Sequence, residues 1–311
     1  MWKTPPRKII ACALQLALVS SALAQDPSVR RDGFDLHYRT SGSGTPAVFL
    51  SGGPGCEVDY VVPIAEHVPT TYQRVFLEQR GTGRSKPPAV DEQTMTLRLV
   101  VEDLEALRVH LQQERLLLIG HSWGGMLAMA YAASFPSRVE ALILIGTGGP
   151  TLEFQSWFGD NIDARMRPED LEARRYWEQA MKRGLDPDKA MTEIVRAMTP
   201  AYFFDRAKGL EFAVQVQDGF LHMKVNTLLF QDMRKSFDLR PALSTLDRPV
   251  LIVHGHQDPI GDKTVEDIHR VIPRSKLHYI HKSGHFPWLE QPEAFRGAVE
   301  KFLEEVHPPK K

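Results

Sequence analysis

Short apolar runs alternate along this chain with longer stretches in which apolar positions recur every three or four residues. The first pattern predicts buried strands and the second predicts amphipathic helices. Phe34 to Arg39, Pro46 to Leu50 and Gln73 to Glu78 read as strands. A helix is predicted over Thr94 to Gln112, where Leu97, Val100, Val101, Leu104, Leu107 and Leu111 share one face. The run Leu116-Leu117-Leu118-Ile119 is the next strand, Met126 onwards a helix, and Ala141 to Ile145 another strand. The alternation resumes with strands at Pro249 to His254 and Lys276 to Ile280, and helices at Thr264 to Val271 and Pro292 to Val306.

Between these two blocks lies a stretch with no strand pattern. Pro168, followed by Glu169 and Asp170, opens a helix that Lys182-Arg183-Gly184 closes. Asp186-Pro187 opens another, ending near Thr199-Pro200, and two more fill Ala207 to Gln217 and Met223 to Phe237. The pattern therefore predicts an α/β fold with a mostly parallel central sheet flanked by helices. Residues 25–149 and 241–311 form its core, and residues 150–240 a helical cap.

The first residues stand apart. Lys3, Arg7 and Lys8 precede an apolar run from Ile9 to Val19, and Ala22-Leu23-Ala24 matches a small-residue cleavage site. This reads as a signal peptide, residues 1–24, cut after Ala24, which predicts a secreted or periplasmic protein with no stable membrane anchor after cleavage. Cleavage leaves 35 basic against 39 acidic side chains, a formal charge of −4. Nothing in that balance points to nucleic acid. Cys12 leaves with the signal, so Cys56 remains without an intramolecular partner and is read as buried packing.

The chemistry centres on Gly120-His121-Ser122-Trp123-Gly124-Gly125, set between the strand at Leu116 and the following helix. Strand, G-x-S-x-G and helix together make a nucleophile elbow with Ser122 at its tip. Such a serine needs a base, and the base an orienting acid, in the chain order Ser, Asp or Glu, His. Asp258 follows the strand ending at His254, and His285 lies in Ser283-Gly284-His285-Phe286 after the last strand. Both fall at strand ends, where ligands of such sheets bind. His278 and His281 are the nearby alternatives to His285. The predicted oxyanion donors are the backbone N–H groups of Trp123 and Gly53, the latter in Ser51-Gly52-Gly53-Pro54-Gly55. Gly52 in the same loop is a candidate substrate contact. His254-x-His256-x-Asp258 has metal-ligand residue types, but further ligands at telling spacings are missing, so no metal is assigned. No cofactor is implied.

These motifs resemble a known family. The Ser51 to Gly55 loop looks like the H-G-G-P-G of prolyl iminopeptidases within the α/β-hydrolase superfamily. Glu78-Gln79-Arg80-Gly81-Thr82-Gly83-Arg84-Ser85 is similar to their D-Q-R-G-x-G-R-S, and Ser122-Trp123-Gly124 to their S-W-G. The resemblance implies release of an N-terminal residue, often proline, from short peptides, with cap acids holding the free amine. Tyr176-Trp177-Glu178 resembles the cap W-E motif, which makes Glu178 a candidate amine ligand. Two positions depart: Ser51 replaces the family histidine, and Thr199-Pro200-Ala201-Tyr202-Phe203 lacks the acid of E-N-H-Y-F. Trp157, Phe158, Phe203 and Phe204 are candidates for an apolar pocket wall. The partner is a small-molecule or short-peptide substrate. The motifs are read as those of an exported serine aminopeptidase of prolyl iminopeptidase type that works through an acyl-enzyme; the alternatives are an esterase or lactonase with the same machinery and a non-catalytic binder.

Overall fold

In the computed structural model, residues 27–308 are described, so the signal segment lies outside the described residues. The strands are β1 (Ser28–Arg31), β2 (Phe34–Ser41), β3 (Thr45–Leu50), β4 (Tyr72–Leu77), β5 (Leu116–His121), β6 (Val139–Ile145), β7 (Val250–Gly255) and β8 (Ser275–Ile280). They form one sheet in the order β1-β2-β4-β3-β5-β6-β7-β8. β1 and β2 pair antiparallel with their neighbours, and every other pairing is parallel.

Helix α1 (Leu97–His110) precedes β5, and α2 (Trp123–Ser134) joins β5 to β6. Between β6 and β7 come α3 (Gln155–Asp163), α4 (Pro168–Lys182), α5 (Pro187–Met198), α6 (Arg206–Gln215), α7 (Met223–Met233) and the short α8 (Arg240–Leu243). Helix α9 (Asp262–Val271) joins β7 to β8, and α10 (Pro287–Glu290) and α11 (Pro292–Val306) close the chain.

The sheet is covered on both faces. Val48, Leu118, Leu142 and Ile252 pack on the side of α1, α2 and α9, while Phe49, Ile119, Ile143 and Val253 pack on the side of α11. Burial of both faces is why these strands read as continuous apolar runs and not as alternating ones. β1 escaped the pattern for the opposite reason: it is a four-residue edge strand, Ser-Val-Arg-Arg, with no fully buried position. Helix α3 also went unpredicted, since only Ile162 in it is buried.

The register sets up the site. Leu50 of β3 lies beside Gly120 of β5, and Gly120 beside Leu144 of β6. The Ser51 loop and the Ser122 elbow therefore leave the sheet side by side, between β3 and β5, where the chain order of the strands reverses. The α3 to α8 segment closes over them. Glu57 N–H donates to Phe220 O (3.0 Å), His222 N–H to Gly55 O (2.9 Å) and Asn226 Nδ2 to Pro54 O (3.0 Å).

Candidate active site

Ser122 sits between β5 and α2 with φ 57° and ψ −118°, a left-handed conformation that a serine adopts only under constraint. The constraint is packing. A Cβ at Gly120 would run into the Gly124 carbonyl, and one at Gly124 into the Leu50 carbonyl, so the flanking glycines are required by backbone approach. The Ser122 N–H is held by Ile145 O at 2.9 Å.

Asp258 and His285 meet as expected: Asp258 Oδ2 accepts from His285 Nδ1 at 2.8 Å. The other oxygen, Oδ1, accepts the Ile260 N–H at 2.9 Å. Burial alone would raise the Asp258 pKa, but His285, the nearby His254 and that N–H outweigh it and hold the carboxyl below its ordinary range. His278 and His281 are exposed and take no part. The pair has room because Gly146, at the end of β6 with φ +48°, carries no side chain. A Cβ there would lie 2.8 Å from Asp258 Oδ2 and 3.0 Å from His285 Nδ1.

Ser122, His285, Gly53 and Trp123 all line one cavity of about 290 Å³. Gly53 N–H and Trp123 N–H make no hydrogen bond within the described residues. About half of the rest of the wall is aromatic, and most of it comes from residues 154–230, including Phe154, Phe158, Phe212, Phe220 and Phe230. The polar residues of the wall are neutral: Tyr60, His121, Gln155, Thr199, Tyr202 and Asn226. Among the described lining residues none is Asp, Glu, Lys or Arg. Cys56 lies in the wall, where burial pushes its thiol up to about 12.

Three expectations meet a different arrangement. Glu178 lies on α4 with its side chain 44% exposed and pairs with Arg174 one turn earlier (3.5 Å), away from the cavity lining. Gly52 does not line the cavity either, and its N–H is taken by Tyr60 Oη at 2.5 Å. Of the four aromatics, Phe158 lines the cavity; Phe203 stacks on Phe286 at 4.8 Å, Phe204 is exposed, and Trp157 donates to Ile260 O. His254 is fully buried with Nδ1 3.8 Å from Asp258 Oδ2. No group of three or more His, Cys, Asp or Glu among the described residues is placed to hold a metal ion.

The chain is similar to known proteins. A family model of the alpha/beta hydrolase fold covers residues 45–292. The chain belongs to the α/β-hydrolase family. A proline iminopeptidase of Xanthomonas citri is 30% identical over 281 residues, covering 82% of this chain and 88% of that protein. The crystal structure of a proline iminopeptidase of Mycobacterium smegmatis superposes with a TM-score of 0.69 at 22% identity, covering 90% of this chain and 98% of that one. A thermophilic esterase from Thermogutta terrifontis gives 0.68 at 23% identity, covering 91% and 100%. The two structures, at these identities, share the fold. Among sequence relatives, the chain is prolyl-iminopeptidase-like.

In this α/β-hydrolase the three motif stretches are physically one assembly. Gln79 donates to Ser51 O at 2.8 Å and accepts from the Trp123 indole N–H at 2.9 Å. Gln79 thus ties the Ser51 loop to the elbow. Glu290, 5% exposed, accepts the Gly284 N–H at 2.6 Å and the Asp205 N–H at 2.8 Å, which fastens the His285 loop to the segment before α6. Neither role was visible in composition or periodicity. The only sequence signal for Gln79 was its place in the family-like motif.

Proposed function

We propose that this chain is a serine hydrolase that forms an acyl-enzyme on Ser122 from small substrates with an uncharged, apolar acyl group. Ser122 Oγ attacks the carbonyl carbon while His285 takes its proton at Nε2, the ring nitrogen not bonded to Asp258. Negative charge builds on the carbonyl oxygen, where the N–H groups of Gly53 and Trp123 receive it. Collapse expels the leaving group with the proton from His285. Water, deprotonated by His285, then releases the acid and restores Ser122. Asp258 stays ionised and holds the ring. Residues 150–240 act as a cap that builds the substrate-facing wall.

The observation that carries the substrate class is the lining of the cavity. A free α-ammonium placed beside Ser122 would be desolvated among aromatic rings without a carboxylate, which costs several kcal/mol. A neutral ester, lactone or blocked amide meets no such cost. The second reading, release of an N-terminal residue, is supported by the proline iminopeptidases among the relatives and by the shared motifs. It requires an acid to reach the amine, and Glu178 lies outside the cavity lining, 3.5 Å from Arg174.

The purified protein is assayed on proline arylamide, N-blocked proline arylamide and a short p-nitrophenyl ester, with Ser122→Ala as control. N-blocked proline arylamide is expected to be hydrolysed at least about 100-fold faster than the free-amine arylamide, which has the same scissile bond, following from the cost of a buried unpaired charge, and the ester reports acyl-enzyme turnover. Cleavage confined to the free-amine prolyl substrate makes the protein an aminopeptidase. We also propose export, supported by the Ala22-Leu23-Ala24 site; an N-terminus beginning at Gln25 in the exported fraction is the expected result.

A further inference from the structure

His121 and Tyr60 are polar groups at the cavity that the proposed chemistry does not use. His121, the residue before Ser122, is 2% exposed and packed among His285, Phe286 and Trp288, with ring centroids 4.4, 5.3 and 4.8 Å away. Burial, reinforced by His285, drives its pKa well below the ordinary value, so the ring is neutral and carries one N–H. Its Nε2 lies 2.9 Å from His285 O, which only accepts, so the proton sits on Nε2. Nδ1 is then an acceptor, and Tyr60 Oη, 2.9 Å away, donates to it. Burial keeps the phenol protonated. The Tyr60 oxygen in turn accepts the Gly52 N–H at 2.5 Å.

The polarity of this chain is therefore fixed along its length: Gly52 N–H to Tyr60 O–H to His121 Nδ1, and His121 Nε2–H to the backbone carbonyl of His285. It touches all three parts of the site. One end holds the Ser51–Gly52 peptide, the unit before the one that carries the Gly53 N–H. The middle belongs to the elbow. The other end holds the main chain of the base. The fit is close, since a Cβ on Gly52 would lie 2.6 Å from Tyr60 Oη and 3.1 Å from Ser122 Cβ.

We propose that Tyr60 and His121 are positioning residues that hold the Gly53 oxyanion donor and the His285 loop in register with Ser122. The inference rests on the serine-hydrolase reading. Small displacements of such donors are costly, since removing one outright slows turnover by about 10² to 10³-fold.

The test uses a p-nitrophenyl ester for turnover and an alkylboronic acid, whose tetrahedral adduct places an oxygen in the oxyanion site. Tyr60→Phe is expected to lower kcat about 10- to 100-fold, a fraction of the full loss of a donor, with KM within threefold. The boronic acid should weaken in parallel. His121→Gln keeps a donor near the Nε2 position and loses the acceptor, so it should match Tyr60→Phe. The double variant should lose no more than about threefold beyond either one, because both break the same link. His121→Asn keeps an acceptor near Nδ1 and should retain boronic acid affinity within threefold. Thermal melts check folding, and the His121 variants carry the comparison if Tyr60→Phe fails to fold. A Tyr60→Phe enzyme with kcat and boronic acid affinity within twofold of wild type overturns the inference, as does a KM rise equal to the fall in kcat. Ser122→Ala separates the two levels. If it still turns over, the serine-hydrolase reading falls and this inference with it. If it is dead while Tyr60→Phe is normal, only this inference falls.

Discussion

Replacing Gly146 by alanine adds one methyl group at the point where Asp258 meets His285. The Cβ would stand 2.8 Å from Asp258 Oδ2 and 3.0 Å from His285 Nδ1, whereas ordinary contact begins near 3.4 Å. The pair must shift by roughly half an ångström, or the β6 end must move. Displacements approaching 1 Å in a reacting constellation cost about 100-fold in rate, so a fall in kcat of about 10- to 100-fold is expected. The substitution also places alanine at φ +48°, which costs about 1–2 kcal/mol. For a domain of this size that lowers Tm by only about 2–8 °C. KM should stay within threefold, because Gly146 does not line the cavity. Steady-state ester hydrolysis and a calorimetric melt on the same preparation read both quantities. Gly159→Ala on α3 is the control: open space surrounds that position, and alanine there should leave kcat unchanged and add up to about 1 kcal/mol of stability. A Gly146→Ala enzyme with kcat within threefold of wild type and Tm lowered by strain alone would refute the reasoning.

Asp258→Asn should lower kcat by about 10⁴-fold by releasing the tautomer and orientation of His285. The Asp258 carboxyl is held below its ordinary value when folded. Its contribution to stability is full above the unfolded value near 4 and is lost as pH falls through the folded one, so the variant's acid unfolding curve should be flatter. Glu290→Gln keeps one acceptor and sets an NH₂ against the Gly284 or Asp205 N–H, so it should cost about 1–3 kcal/mol and lower kcat by loosening the His285 loop. Burial raises the Glu290 pKa, so the wild type loses stability relative to the variant as pH rises through that raised value, which melts across pH 4–8 will show. Cys56, with its thiol pushed up to about 12, should react with iodoacetamide at neutral pH about 10³-fold more slowly than an exposed cysteine, followed by intact mass.

What the sequence made legible was whatever local pattern could express. Strands buried on both faces appeared as apolar runs, and Asp258 and His285 were placed by chain order and strand ends alone. The missed features depend on partners far apart in the chain: Tyr60 and His121 are 61 residues apart, Gln79 and Trp123 44, and Asp205 and Glu290 85. No periodicity announces such contacts. Glu178 shows the converse. Its neighbours matched a family motif, but which way α4 turns its face is set by tertiary packing, and there Glu178 is half-buried beside Arg174 and outside the cavity lining. Gly52 reads in the sequence as a substrate contact beside Gly53, and its N–H is instead taken by Tyr60.

The central claim is that Ser122 becomes acylated. The most direct measurement is intact and peptide mass spectrometry after brief exposure to a fluorophosphonate and, separately, after acid quench during ester turnover. The account predicts one adduct per chain, on Ser122, absent from Ser122→Ala, which is also inactive. An adduct on another residue with Ser122 unmodified, or turnover that survives in Ser122→Ala, would contradict it.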